Sequence, residues 1–443
     1  MNNYQEFFKG KKVTQLGLGL LGRGLNDAIF MLENDVADLI LTDKKSAEEL
    51  ASSVVKLKGY ENLTLRLGEH RLEDFEDRDF IFKGAGVPLD SEYIAHAKAK
   101  GIPIEMDSSL CVKLLPPGVI TVGVTGTRGK STVTHLITHI LKTANKKTYI
   151  GGNVRDMATL PLLKEIKSGD FLVLELDSWQ LQGFGESKIS PHIAVFTNLM
   201  SDHLNYYKNN PGQYYEDKAN IFKFQKEEDF LIVGEGLKTE DTLGQKVVAS
   251  SKNVPKDWDI KIPGEHNLLN IACAIEAARA LGISEADIKT GVESFEGVDG
   301  RLKFAREING IKIYNDNNST TPEATIAALR AIGNNKNIIL IIGGDDKNLN
   351  ASELIAEIPK YAKKVVLFKE RGTDKIRDAV LAMQKDGIEV FEEEGLQATV
   401  QKAFSVAGSG DIILYSPAFS SFGKYFKNEY DRNDQFLKIV EGL

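Results

Sequence analysis

The chain has 443 residues, 42% hydrophobic and 27% charged, with 55 Lys and Arg against 63 Asp and Glu and a formal net charge of −8. That length calls for two or three domains instead of one core, and the absence of any Lys/Arg block argues against nucleic acid as a partner. Cys111 and Cys273 form no C-x-x-C pair, which excludes a thiolate metal site or disulfide framework, and no apolar run approaches the ~18 residues of a membrane span, so a cytoplasmic protein without a membrane segment is expected.

The first strand-like run, KKVTQLGLG, opens Gly17-Leu18-Gly19-Leu20-Leu21-Gly22, and Asp43 ends the next strand, ADLILTD. This fits a dinucleotide fingerprint, in which an acidic residue holds a ribose. A nicotinamide site and a purely structural packing turn are the other readings of the same residues. After DFIFKGAG, the Pro117–Gly118 pair marks the passage into a second unit.

That unit begins with the strand ITVGVT, the loop Gly126-Thr127-Arg128-Gly129-Lys130-Ser131 and the helical STVTHLITHIL. Glycines let successive N–H groups face an anion, and the helix N-terminus adds positive potential. Lys130 would reach the β/γ-phosphates and Ser131 a magnesium ion. The spacing is one residue longer than the usual P-loop, since Gly123 lies six positions before Gly129; a glycine turn that only caps a helix is the bland alternative. Glu175, at the end of FLVLELD, is placed to hold magnesium, or else is a solvated strand terminus. His203 follows HIAVFTNL and can reach the same edge, although a lone histidine is more often structural. Lys218 reads as an ordinary surface lysine.

Near residue 297 EGVDGR leads into a hairpin with its turn at Asn309–Gly310. NIILIIGGDD, KVVLFKE and DIILYSPA then form a third α/β unit. The expected fold is α/β with largely parallel sheets in three domains: a Rossmann-like domain at 1–110, a P-loop ATPase-like domain at 111–297 and a Rossmann-like domain at 298–443.

Several runs together resemble the Mur ligase superfamily: Gly-x-Thr-Gly-Thr-x-Gly-Lys-Ser, Leu-Glu-Leu-x-Ser-x-Gln-Leu, Asn-Leu-x-x-Asp-His-Leu, Gly-x-His-Asn, Gly300-Arg301, Asn315-Asp316 and Gly343-Gly344-Asp345-Asp346-Lys347. The ending, from Ser416-Pro417-Ala418 through Ser421-Phe422 to Asp431-Arg432, looks like that of the D-glutamate-adding branch. The resemblance implies an ATP-dependent amide ligase that joins glutamate to a UDP-N-acetylmuramoyl-L-alanine precursor through an acyl phosphate, in cell-wall synthesis, as a monomer. It implies UDP-substrate contacts from Gly17, Leu20, Asp43, Asn153 and Gln180. ATP would meet Gly126, Thr127, Arg128, Gly129, Lys130, Ser131 and Thr132 from one side and Asn267, Arg301 and Asp316 from the other. Thr320, Lys347, Ser421 and Phe422 would contact the amino acid. Two magnesium ions would involve Ser131, Glu175, His203 and Lys218, with Lys218 carrying a carbamate; Lys130, His203 and Lys218 would be the catalytic set. Domain closure is expected around the acyl phosphate.

Some positions depart from the pattern. Asp177 stands where the branch usually has Ser, Asn318 replaces a Lys, one residue is added between Gly423 and Lys427, and Asn433 replaces a Gly. The amino-acid acceptor is the feature these departures put in question. Another ligase of the superfamily, a non-catalytic nucleotide-binding regulator and a nicotinamide oxidoreductase are the competing functions.

Overall fold

The computed structural model describes every residue except Met1, Asn2, Leu20, Leu21, Asp156, Ser201, Leu204 and Asn334. The first sheet holds β1 (Lys12–Leu16), β2 (Asp38–Asp43), β3 (Leu63–Leu67), β4 (Phe80–Lys83) and β5 (Ile104–Glu105), in the order β3-β2-β1-β4-β5. All its pairings are parallel. The strand order reverses at β1, and the crevice at the carboxyl ends of β1 and β4 is where such a sheet binds ligands.

The second sheet holds β6 (Ile120–Thr125), β7 (Thr148–Gly152), β8 (Phe171–Glu175), β9 (Ile193–Phe196), β10 (Phe230–Gly234) and β11 (Gln245–Ala249), in the order β11-β10-β9-β6-β8-β7. It too is parallel throughout. β6 and β8 are buried along almost their whole length, as their unbroken apolar sequence requires of strands covered on both faces.

The third sheet holds β12 (Lys303–Ile308), β13 (Ile311–Asn315), β14 (Ile338–Ile342), β15 (Ala362–Phe368), β16 (Glu389–Glu393) and β17 (Ile412–Tyr415), in the order β12-β13-β17-β14-β15-β16. Its one antiparallel pair is the expected hairpin β12–β13. Asn309 and Gly310 both have positive φ, 52° and 78°, the conformation a two-residue turn between right-twisted strands demands. Ile338, Leu340 and Ile342 face one apolar cluster, and Ile339 and Ile341 face another on the opposite side, so period-two geometry buries both faces.

The chain packs as two compact units, residues 1–256 with 269–291, and 257–268 with 292–443. The first carries two sheets over one continuous apolar core, from Phe8, Phe30 and Phe80 through Leu110 and Leu114 to Leu174, Phe196 and Leu231. Both cysteines are buried and free. Among the described residues, no helix is long and apolar enough to cross a membrane.

Candidate active site

In the first unit, the loop 126–129 connects β6 to the helix Lys130–Thr143. Gly126 (φ 148°) and Gly129 (φ 85°) lie in the region that favours glycine. A Cβ on Gly126 would come within 1.9 Å of the Thr197 hydroxyl oxygen, and one on Gly129 within 2.2 Å of Asn270 Oδ1. The loop is strapped from the neighbouring segment: the Thr127 amide donates to Asn198 O (3.0 Å), and the Arg128 amide to Asn198 Oδ1 (2.9 Å). The Arg128 side chain pairs with Asp202 (2.9 Å), and Thr132 is buried at the start of the helix.

The strands beside β6 bring the other chemistry. From the end of β8, buried Glu175 accepts a hydrogen bond from Ser131 Oγ at 3.1 Å. An all-oxygen pair of hydroxyl and carboxylate suits a hard divalent cation that completes its shell with water and phosphate oxygens. Among the described residues, no group of three or more His, Cys, Asp and Glu is arranged to hold a metal ion. Lys130 donates to Gly126 O (2.9 Å) and Thr127 O (3.3 Å).

Lys218 overturns its appearance in the sequence. It is 1% exposed and donates to Gly126 O (3.0 Å) and Thr125 Oγ1 (3.3 Å), with Tyr214 beneath its ammonium at 4.9 Å. Two lysines thus converge on one carbonyl. Burial first, and the Lys130 charge second, push the Lys218 pKa well below the ordinary lysine value, so its neutral amine is accessible. His203 has φ 53° and packs against Trp179 at 4.9 Å and Tyr214 at 6.1 Å. Burial lowers its pKa, which favours the neutral imidazole a metal requires.

A cavity of about 730 Å³ opens at the carboxyl ends of β1 and β4, lined by Gly17, Asp43, Lys83, Ser108 and Gln180 among others. Asp43 does more than face it. Its carboxylate accepts from the amides of Leu18 (2.9 Å), Gly19 (3.0 Å) and Lys45 (2.9 Å). Burial alone would raise its pKa, yet these backbone donors outweigh it and hold it below the usual range. Leu20 lies outside the described residues. Asn153 donates its amide to Glu175 O at 2.7 Å and receives Arg23 on its side chain at 2.8 Å.

Lys83, Arg23 and Ser108 line the cavity and were not singled out from the sequence. A lysine ending a buried strand was the available signal for Lys83. It is 1% exposed and donates to the carbonyls of Gly84, Ala85 and Val87 (3.3, 3.3 and 2.6 Å), and burial lowers its pKa to about 8. Asp177 caps the helix Ser178–Ser187 in a reciprocal box with Gln180, at 2.8 and 3.1 Å. Asp therefore keeps the capping role Ser would have and adds a charge.

In the second unit, Lys347 Nζ donates to Thr320 Oγ1 at 3.1 Å. Asp345 and Ser420 are bridged by paired backbone bonds, which sets buried Ser421 and the 62%-exposed Phe422 beside that turn. Asn267 is buried and donates to Pro263 O at 2.7 Å, while Arg301 is exposed. Both departing asparagines are held by their neighbours: Asn317 donates to Asn318 (2.9 Å), Asn315 to Asn433 (2.8 Å), and buried Arg432 binds Asn317. Asn318 and Asn433 both crowd Gly300, so these two positions meet at one place.

Asp316 is buried and accepts from Leu302 N (3.0 Å), Ser416 Oγ (2.7 Å) and Ser319 Oγ. Burial dominates and raises its pKa from 3.8 to about 6. A carboxyl raised by folding contributes stability that is complete below pH 3.8 and lost as pH rises through about 6. That rise corresponds to roughly 3 kcal/mol. In urea unfolding, wild type should therefore lose about 2.4 kcal/mol between pH 4 and 7 relative to Asp316→Asn, whatever constant offset the substitution adds. Parallel profiles for the two proteins would refute this.

Residues 124–247 match the family model described as the Mur ligase middle domain, and residues 300–419 the Mur ligase glutamate ligase domain. The UDP-N-acetylmuramoylalanine–D-glutamate ligase of Roseiflexus sp. (strain RS-1) is 32% identical over 98% of this chain and 99% of its own. That of Clostridium novyi (strain NT) is 33% identical over 100% and 99%. Among solved structures, UDP-N-acetylmuramate-alanine ligase MurC from Thermotoga maritima aligns with a TM-score of 0.59 at 20% identity, covering 98% of this chain and 99% of that one. MurF ligase from Thermotoga maritima in complex with ADP aligns with 0.59 at 18%, covering 99% and 96%. Likeness at that identity shows the shared fold.

Proposed function

The chain belongs to the Mur ligase family, and from that premise we propose that it joins D-glutamate to UDP-N-acetylmuramoyl-L-alanine at the expense of ATP, in peptidoglycan synthesis. The observation that carries the chemistry is the meeting of Lys130, the Ser131–Glu175 pair and Lys218 around the carboxyl end of β6. The choice of D-glutamate rests on the named relatives, about a third identical over essentially the full chain.

On this reading residues 1–110 hold the uridine nucleotide, 111–297 ATP and 298–443 the amino acid. Gly17, Leu20, Asp43, Asn153 and Gln180 contact the uridine-linked substrate, and residues 126–132 with Asn267, Arg301 and Asp316 hold ATP. A substrate carboxylate oxygen attacks the γ-phosphorus and ADP leaves; the glutamate amine then attacks the acyl carbon, phosphate departs, and the nitrogen gives up a proton to leave the amide. Carboxylate and triphosphate repel, so the enzyme must neutralise them at the moment of transfer. Lys130 supplies a fixed positive charge to the phosphate oxygens. Magnesium, held by Ser131 and Glu175 and by His203 with carbamylated Lys218, would screen the reacting oxygens. Burial and the accessible neutral amine support carbamylation of Lys218. Thr320, Lys347, Ser421 and Phe422 receive the amino acid, and the Lys–hydroxyl pair suits a dicarboxylate.

An acceptor screen tests the assignment. Purified protein with ATP, magnesium and UDP-N-acetylmuramoyl-L-alanine should release phosphate with D-glutamate and stay near background with L-glutamate, L-alanine, glycine and diamino acids. Release driven by one of the others would move the protein to a different branch, and release with none would leave a regulator.

A further inference from the structure

Arg23 is the first residue of the helix Arg23–Leu32, behind Gly22 in the left-handed region. It lines the cavity at the carboxyl ends of β1 and β4. Its side chain leaves the first sheet's side of the unit for the segment after β7: one terminal nitrogen donates to Asn153 Oδ1 at 2.8 Å and the other to Val154 O at 3.0 Å. The same segment is caught further along by Asp107, whose carboxylate accepts from the amides of Thr159 (3.0 Å) and Leu160 (2.8 Å). Arg23 and Asp107 therefore fix it at both ends.

The chemistry of Arg23 settles how Asn153 stands. A guanidinium only donates, so the Asn153 oxygen must face it and the amino group must face away. An unrestrained asparagine can present either end to a ligand. The backbone of Asn153 is pinned independently, through its amide on Glu175 O, so the residue cannot swing away as a whole. What it offers is a donor.

We propose that Arg23 is a positioning residue for the substrate, turning the Asn153 amide so that its Nδ2 donates to an acceptor oxygen of the uridine-linked ligand. This rests on the proposed function, which gives Asn153 a contact with the uridine-linked substrate, and on reading the cavity that Arg23 lines as part of that ligand's site. The oxygen is either a phosphoryl oxygen of the nucleotide or a carbonyl of the sugar-peptide part, which are alike as acceptors.

The test is titration calorimetry on the full chain with UDP-N-acetylmuramoyl-L-alanine and with UDP, alongside steady-state kinetics. Asn153→Asp keeps the bond to Arg23, now as an ion pair, but replaces the amino group with a charged acceptor. It should melt no lower than wild type and bind the full substrate at least about tenfold more weakly. Arg23→Met frees the amide to turn and should raise KM for the uridine substrate about tenfold while kcat changes about twofold or less. Arg23→Lys, which still donates to Oδ1, should recover most of that loss. A matching loss with UDP identifies a phosphoryl oxygen, and a loss confined to the full substrate identifies a carbonyl; either supports the proposal. Wild-type affinity in Asn153→Asp, or an unchanged KM in Arg23→Met, overturns it. If wild type binds neither ligand, the reading of the cavity falls and the proposal with it.

Discussion

Replacing Lys218 with alanine is expected to lower turnover by at least about 100-fold. The side chain is buried against the phosphate loop, on Gly126 O and Thr125 Oγ1. Its lowered pKa makes the neutral amine available to capture carbon dioxide, a reaction that forms one N–C bond and releases one proton from the neutral amine, two counted from the ammonium, so that a cation would become an anion. On the proposed function that anion would supply magnesium with ligand oxygens beside the Ser131–Glu175 pair, and the alanine variant would lose them. Added bicarbonate should not restore the variant, because no amine remains, whereas a short carboxylate such as acetate, entering the vacated space, should restore part of the activity. Lys218→Met fills that space without a nitrogen and should be equally impaired, which separates chemistry from packing. Near-normal turnover in either variant removes the role.

Lys130→Met should cost about 1,000-fold in kcat. The methionine matches the length of the lysine stem and spares the helix start, so the loop glycines and the Ser131–Glu175 bond should survive. What disappears is the charge that, on the proposed function, would meet the γ-phosphoryl oxygens. Affinity for the uridine substrate should stay within about twofold, because the Lys130 ammonium sits on the carbonyls of Gly126 and Thr127, in the loop that would take ATP; calorimetry with that ligand distinguishes a lost charge from a misfolded protein. A variant retaining a tenth or more of wild-type turnover would show that the loop binds phosphate without activating it.

The glycine loop after β6 was legible in the sequence because its signal is local: glycines, lysine and serine fall within six residues, between a strand and a helix. The Asn309–Gly310 turn was legible for the same reason, since two adjacent residues decide it. The burial of Lys218 was not, because it depends on a helix returning 93 positions later to Thr125. Only the resemblance assigned that lysine a role. Asp43 at a strand end was legible, but its three backbone donors come from a loop geometry that spacing alone does not give. Arg23 was missed because its partner lies 130 residues away. Edge strands such as β11, with four of its five residues at least partly exposed, lack the apolar signal that exposed β6 and β8. The packing of two sheets into one unit went unread as well, since Leu110 and Leu114 show an apolar face without naming what covers it.

Isotope transfer tests the chemistry most directly. With oxygen-18 in the alanine carboxylate of the UDP-linked substrate, and ATP, magnesium and D-glutamate present, each amide formed should send one labelled oxygen into the released phosphate. Amide formation with unlabelled phosphate would contradict capture of the γ-phosphoryl group by that carboxylate.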